Sequence, residues 1–472
     1  MTAPVEEPDP ANASAWATIR EALNGSEQDF TTGPVPRAVI LLAIPMVLEM
    51  VLESVFAVVD VFFVSRLGAA AVAAVGLTES LLVVIYSLAM GLAIAVTAVV
   101  ARRWGEKDQD GAAHAAAQAV ILGVIVAIGL SVIGVIFAED LLRLMGADDE
   151  VVAIGLGYTQ VMLGGEVTVI LLFLLNAAFR GVGDAAIAMR VLWIANTINI
   201  VLDPLLIFGI GPFPELGVTG AAIATTTGRA IGMVIAFRTM VRPGHRLTVR
   251  ARHFGFDGAV IASMLRLSAT ATLQFLVGSA SWIGLVRLIA TFGNAAVAGY
   301  TVAIRLVIFG IMPAWGLSNA ASTMVGQALG AKLPDRAAEA VRVAGWFNLV
   351  FLGVLGVFYL ALAPWVVGWF GSDPAVMAVA ERALRIVAIG FPLYALGMVL
   401  TNAFNGAGDT WTPTWLNFLV FWLWEIPLAW VLAKPLGLGV DGVFWAIVIA
   451  FCTLTGASWV IWRRGKWRTT VV

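Results

Sequence analysis

The chain has 472 residues, of which 60% are hydrophobic and 12% charged, with a mean hydropathy of +0.94. A soluble protein carries about 25% charge to cover its surface, so the composition excludes an assembly of soluble domains and points to a membrane protein. The net charge of -2 and pI near 6.0 lack the basic face of a nucleic-acid binder. The single cysteine, Cys452, excludes an intrachain disulfide or a cysteine metal cluster.

In chain order, Met1–Thr32 is polar, acid-rich and dotted with proline. It reads as a mobile cytoplasmic extension, in which disorder is favoured over a short surface helix at Trp16–Leu23. Crossing a bilayer takes about 20 apolar residues as a helix. Twelve such runs follow: Val39–Val64, Ala71–Val100, Ala115–Phe137, Val151–Ala178, Ala188–Ile210, Gly217–Phe237, Val260–Thr291, Ala298–Leu329, Ala340–Phe370, Ala375–Phe404, Pro413–Val431 and Val440–Trp462. They are numbered spans 1 to 12. The runs are too long and too uniformly apolar for barrel strands, so the expected fold class is an all-α integral membrane protein. Basic residues resist translocation. Of the 28 Lys and Arg, twenty fall on the side of both termini and five on the other, with Arg229, Arg287 and Arg305 inside spans. Both termini are therefore expected in the cytoplasm, with the chain in the cell membrane.

One offset, about 225 residues, aligns the sequence with itself at four places. Gly68–Ala73 falls on Gly293–Ala298, and Gly105, Lys107 and Asp110 fall on Gly330, Lys332 and Asp335. Phe179–Asp184 falls on Phe404–Asp409, and with a small shift Leu216–Gly220 meets Leu438–Gly442. Six spans per half is an even number, so the two repeats run parallel, as in transporters whose two bundles rock around a central cavity. The expected organisation is a polar tail at 1–36, a six-helix lobe at 37–240, a basic connector at 241–257, a second six-helix lobe at 258–464 and a tail at 465–472. The basic stretch Arg238–His253 suits either a connector between halves or a lipid-headgroup or regulatory site.

Ionisable groups inside a membrane are costly and therefore functional candidates. On span 1, Glu49, Glu53 and Asp60 fall on one helical stripe, with Pro45 one turn earlier as a candidate hinge. On span 5, Asn196, Asn199 and Asp203 share a stripe beside Pro204, and Asn176 and Thr225 add oxygens from spans 4 and 6. Competing readings stand beside each. Glu49 could sit near a membrane face or be bonded within the packing, Asp203 could cap a helix distorted by Pro204, and Asp60 could snorkel to the surface. At the repeat-equivalent positions Glu49 becomes Gln274, Glu53 becomes Gly278 and Asp60 becomes Leu285, which assigns ion coupling mainly to the first half. Glu425, the second half's own acid, could bind a cationic substrate or pair with Arg287 or Arg305, the ion pair being the favoured reading. Trp282, Trp315, Trp346, Trp422 and Trp424 suit membrane interface belts better than stacking on flat cations.

These residues resemble the multidrug and toxic compound extrusion (MATE) family, especially its prokaryotic DNA-damage-inducible branch. The resemblance covers about Val35 to Trp462 and rests on the order of Pro45, Val59–Gly68, Asn176, Phe179–Asp184, Asn199, Asp203-Pro204, Gly220–Thr225 and Pro313–Ala331. It implies two six-helix lobes exporting amphiphilic, often cationic compounds in exchange for protons or sodium. It also implies Asp60 as the central protonation site and Asn176, Asn199, Asp203 and Thr225 as its cation site, with sodium fitting the same oxygens. Other branches use a span-7 carboxylate near the place of Gln274, a departure that weakens second-lobe coupling here.

The expected function is a secondary active exporter coupled to protons or sodium, with no other cofactor. In it, protonation of Asp60 or Asp203 rearranges span 1 near Pro45 and expels the drug. A monomer in the lipid bilayer is expected, handling small organic, cationic amphiphiles and no nucleic acid. An enzyme is not expected: His114, His245 and His253 fall at loops or span ends, and no His-Glu-x-x-His pair or Walker loop occurs. A lipid or polyprenyl-linked flippase is the alternative.

Overall fold

The computed structural model describes residues 15–26, 28–371 and 373–470; the expectation for residues 1–14 lies outside them. Among the described residues the regular structure is helical, without strands, as hydrocarbon requires of a chain whose backbone groups must be satisfied internally. Eleven helices are long and apolar enough to cross a membrane. A bent pair, Pro374–Ile389 and Phe391–Gly406, meeting at 59°, supplies the twelfth. Span 1 is Val35–Val64, span 2 Ala69–Gly105, span 3 Gln109–Ile136 and span 5 Ala185–Phe208. Span 6 is Gly217–Val241, span 7 Gly258–Ala290, span 8 Asn294–Gly330, span 9 Pro334–Val367 and span 12 Val440–Arg463. Span 4 is Asp149–Gly181, span 10 the bent pair and span 11 Trp411–Ala433.

The four repeated motifs are the places where the chain reverses. Gly68 and Gly293 have φ of 98° and 100°, and Gly183 and Gly408 have 86° and 85°. This left-handed region costs glycine little and other residues much. Among the described residues, even the two non-glycine residues with positive φ are repeat partners, Lys107 at 63° and Lys332 at 60°. Turn geometry thus accounts for the recurrence of these motifs, while the spans between them diverged. Span 4 breaks at Gly165 and span 10 at Gly390, 225 residues apart. In each lobe the breaking glycine abuts a side chain on the lobe's last span, Thr226 in one and Phe451 in the other, again 225 apart.

The lobes touch through spans 1 and 2 on one side and 7 and 8 on the other. Their closest approaches lie toward the face that carries both termini. A Cβ on Gly316 would come within 2.4 Å of the Met46 carbonyl, and one on Gly91 within 2.6 Å of the Thr272 backbone nitrogen. One on Gly105 would lie 2.0 Å from the Gln327 carbonyl. Farther along, Gly76 on span 2 and Gly278 on span 7 meet nothing within 4 Å. The close packing of the two lobes documented by these glycines therefore lies toward the terminal face.

The mobile-tail expectation is corrected from residue 15 onward. Ala15–Asn24 is a helix, and Phe30 is buried. The tail is held by basic side chains from across the terminal face: Arg190 donates to the Leu23 carbonyl at 2.7 Å and Arg246 to that of Ser26 at 2.7 Å. Lys107 pairs with Asp29 at 2.6 Å, and Arg336, on the second lobe, donates to the carbonyls of Phe30, Thr32 and Gly33. Composition misled here because the partners of this segment's polar groups are distant in sequence.

Candidate ion-coupling site

Span 1 presents its acidic stripe to spans 4, 5 and 6 of its own lobe. Nearest the terminal face, Glu49 is buried and bonded to Arg180 at 2.8 Å. Of the readings open for Glu49, bonding within the packing is the one seen, so this carboxylate is not a free acid in a cavity. One turn on, Glu53 accepts from Asn196 Nδ2 at 3.0 Å. Two turns further, Asp60 is partly exposed and makes no hydrogen bond or ion pair among the described residues; it lies within the field of Asp203, Glu79 and Arg229. Pro45 sits inside a helix that continues unbroken through it.

Asp203 is fully buried on span 5. Asn199, one turn earlier, directs Nδ2 to Thr225 Oγ1 at 2.8 Å and to Asp203 Oδ1 at 3.4 Å. The stripe thus joins spans 5 and 6, which pack closely because Gly228 lets the Ala195 carbonyl approach. Among the buried oxygens of this lobe without a donor are Asn176 Oδ1, Asn199 Oδ1 and Asp203 Oδ2. An unpaired buried acceptor is costly, and a carboxylate with amide oxygens is the donor set that hard cations prefer. By the chemistry of its donors the Asp203–Asn199 pair fits a sodium ion, which their free oxygens would hold; Asn176, also with a free buried oxygen, makes no bond to either. Equally, a proton on Asp203 would remove the buried charge. Among the described residues no group of three or more His, Cys, Asp and Glu could hold a metal.

A second layer was missed in the sequence. Glu166, fully buried with both carboxylate oxygens unpartnered, opens the second half of the broken span 4. It shares the field of Arg229, whose Nη1 donates to Tyr86 Oη at 2.9 Å. An acid inside an apolar run was the available signal, and its repeat partner, Phe391, carries no charge. Glu79 on span 2 is similarly new and links Asp60 to the field of Arg305 on the opposite lobe.

In the second lobe, Gln274 is buried with Oε1 unpartnered. Glu425 is buried at the end of a π-helical segment, Phe418–Glu425. The favoured ion pair of Glu425 with Arg287 or Arg305 is not formed; its charge acts instead on Tyr300 and Tyr394. Trp193 Nε1 donates to the Leu48 carbonyl at 3.3 Å and Trp422 Nε1 to the Val277 carbonyl at 2.9 Å, the same span pair in each lobe. Three residues beyond each tryptophan stand Asn196 and Glu425. The second lobe carries its acid on span 11, where the first has an amide facing an acid on span 1.

The MatE family model matches residues 45–205 and again 271–431, two copies 226 residues apart. The chain belongs to this family. Among MATE relatives it is 27% identical to the probable multidrug resistance protein YoeA of Bacillus subtilis, over 91% of this chain and 94% of that one. It is 28% identical to an FAD transporter of Shewanella oneidensis, over 87% and 90% respectively. A crystal structure of MATE in complex with MaL6 superposes with a TM-score of 0.88 at 28% identity, covering 93% of this chain and 99% of that chain. A MOP superfamily transporter from Pyrococcus furiosus, whose reverse-polarity binding pocket suggests a different function, superposes at 0.87 and 27% identity, covering 93% and 98%. This MATE protein is a multi-pass membrane transporter and not an enzyme.

Proposed function

We propose that this MATE protein exports amphiphilic, cationic organic compounds across the cell membrane in exchange for protons or sodium, with both termini in the cytoplasm. The observation that carries the reading is Asp203, wholly buried with an unpartnered oxygen, within the field of a second carboxylate, Asp60. Two like charges that share a low-dielectric site repel strongly, so a cation entering between them is bound tightly and changes the balance of forces on spans 1 and 5. In this reading the arrangement, packed closely at the terminal face, is the outward-open state. Asn199 and Thr225 orient Asp203, Asp60 receives the entering charge from the opening, and span 1 yields at Pro45, where one helical hydrogen bond is missing. Glu425 offers a cationic substrate a counter-charge from the other lobe.

The test is dye efflux from proteoliposomes under separately imposed proton and sodium gradients. Efflux driven by one gradient, and lost in Asp60→Asn and Asp203→Asn at unchanged protein level, names the ion. Gradient-independent behaviour of all cationic dyes, with folded protein, would instead favour a lipid or polyprenyl-linked flippase.

A further inference from the structure

At the terminal end of span 6 a cavity of about 760 Å³ is lined by Ile235, Arg238, Thr239, Val241, Arg242 and His245. The side chains of Arg238, Arg242 and His245 make no hydrogen bond or ion pair among the described residues. Several neighbouring basic side chains of this face are committed, Lys107 to Asp29, Arg252 to Asp110, and Arg190, Arg246 and Arg336 to tail carbonyls, while others such as Arg342 and Arg464 are not gathered at this cavity. Charge placed here only to orient the chain in the membrane would not need to converge on one cavity. Asp184, half-buried, has a field that reaches Arg246, Arg190 and His245.

The helix itself indicates the ligand. At 100° per residue, Ile231, Val234, Arg238, Val241 and Arg242 fall within about 100° of one another. Along that stripe, exposed Ile231 and Val234 come first and the two guanidiniums follow. An apolar surface ending in paired, unneutralised guanidiniums at the membrane boundary complements acyl chains ending in a phosphate, which guanidinium forks bind well.

We propose that this corner binds the phosphate headgroup of an anionic membrane lipid. The protein is reconstituted in phosphatidylcholine containing one-fifth phosphatidylglycerol, transferred to neutral detergent, and its retained lipid counted by native mass spectrometry. The parent retains phosphatidylglycerol; the R238Q/R242Q variant loses affinity for it by about thirty-fold, the worth of two basic residues at an anionic surface. The comparison variant R463Q/R464Q, at the end of span 12, retains it. Should the double variant fail to fold, R242Q alone, at the exposed end of the helix, loses about fivefold. Undiminished retention in R238Q/R242Q, or equal loss in R463Q/R464Q, overturns the proposal. So does inorganic phosphate or glycerol 3-phosphate binding as tightly as the lipid, which would assign the cavity to a soluble phosphate.

Discussion

Glu49 and Arg180 form a buried ion pair, 2.8 Å long, between span 1 and the end of span 4, and their equivalents in the second repeat are Gln274 and Asn405. Those two are also buried, each with an unpartnered oxygen. The same scaffold therefore accommodates a charged or a neutral polar pair at this place. Removing one member of a buried pair strands the other charge, at a cost of about 3–5 kcal/mol. Glu49→Gln should lower the unfolding temperature in detergent markedly, whereas E49Q/R180N, which copies the second lobe, should recover most of the loss. A single variant as stable as the parent would show that the pair contributes nothing to the fold.

Gly165 breaks span 4 where Thr226 of span 6 presses against it; an added Cβ would lie 2.6 Å from Thr226 Cγ2. Threonine in a helix has little χ1 freedom to retreat, so Gly165→Ala should destabilise by about 1–3 kcal/mol. At Gly390 the corresponding approach is 3.1 Å, to the ring edge of Phe451, and Gly390→Ala should cost less. Adding T226A should rescue G165A. Thermal unfolding of the four proteins forms a double-mutant cycle, and additive effects would place the strain elsewhere.

Much of this architecture was readable because a membrane permits few solutions. Apolar runs located the spans to within several residues, and the repeat exposed the two lobes because its turns demand particular backbone angles at Gly68, Lys107 and Gly183 and their partners. The stripes of span 1 and span 5 were legible as helical geometry. Partners were not: whether Glu49 meets Arg180, or Glu425 meets an arginine, depends on how helices distant in sequence are rotated against each other. The tail failed for the same reason, since its bonds are to Arg190, Lys107, Arg246 and Arg336. Glu166 was overlooked although it stood inside a predicted span, because no second polar residue marked a stripe with it.

The tail should respond to acid in a defined window. Burial acts to raise the Asp29 pKa, but hydrogen bonds from Lys107 and Thr31 outweigh it and hold the carboxyl at about 2, below its ordinary 3.8. A depressed folded-state pKa contributes stability that is fully present above the unfolded value and is lost as pH falls through the folded one. Tail docking should therefore be insensitive to pH above about 5 and weaken as pH falls from about 4 toward 2. Limited proteolysis at neutral pH should cut residues 15–33 faster in Lys107→Ala and Arg336→Ala than in the parent. Equal cutting rates would mean that these contacts do not hold the tail.

Glu425 and Asn196 each stand three residues after a tryptophan whose Nε1 donates to a carbonyl on the first span of its lobe, yet only the amide has a partner, Glu53. The lone acid stands at the end of a π-helical segment, a geometry that recurs at functional sites because it re-aims side chains out of the regular ladder. If ion coupling resides in the first lobe, neutralising Glu425 should leave coupling intact while weakening attraction for a cationic substrate. Glu425→Gln should therefore raise the half-saturating concentration for a cationic dye about tenfold, equivalent to about 1.4 kcal/mol, with little change in maximal gradient-driven efflux. Asp60→Asn should abolish efflux at every dye concentration. Complete loss of gradient-driven transport in E425Q would move part of the coupling to the second lobe, and unchanged half-saturation would leave Glu425 with a packing role among Tyr300 and Tyr394.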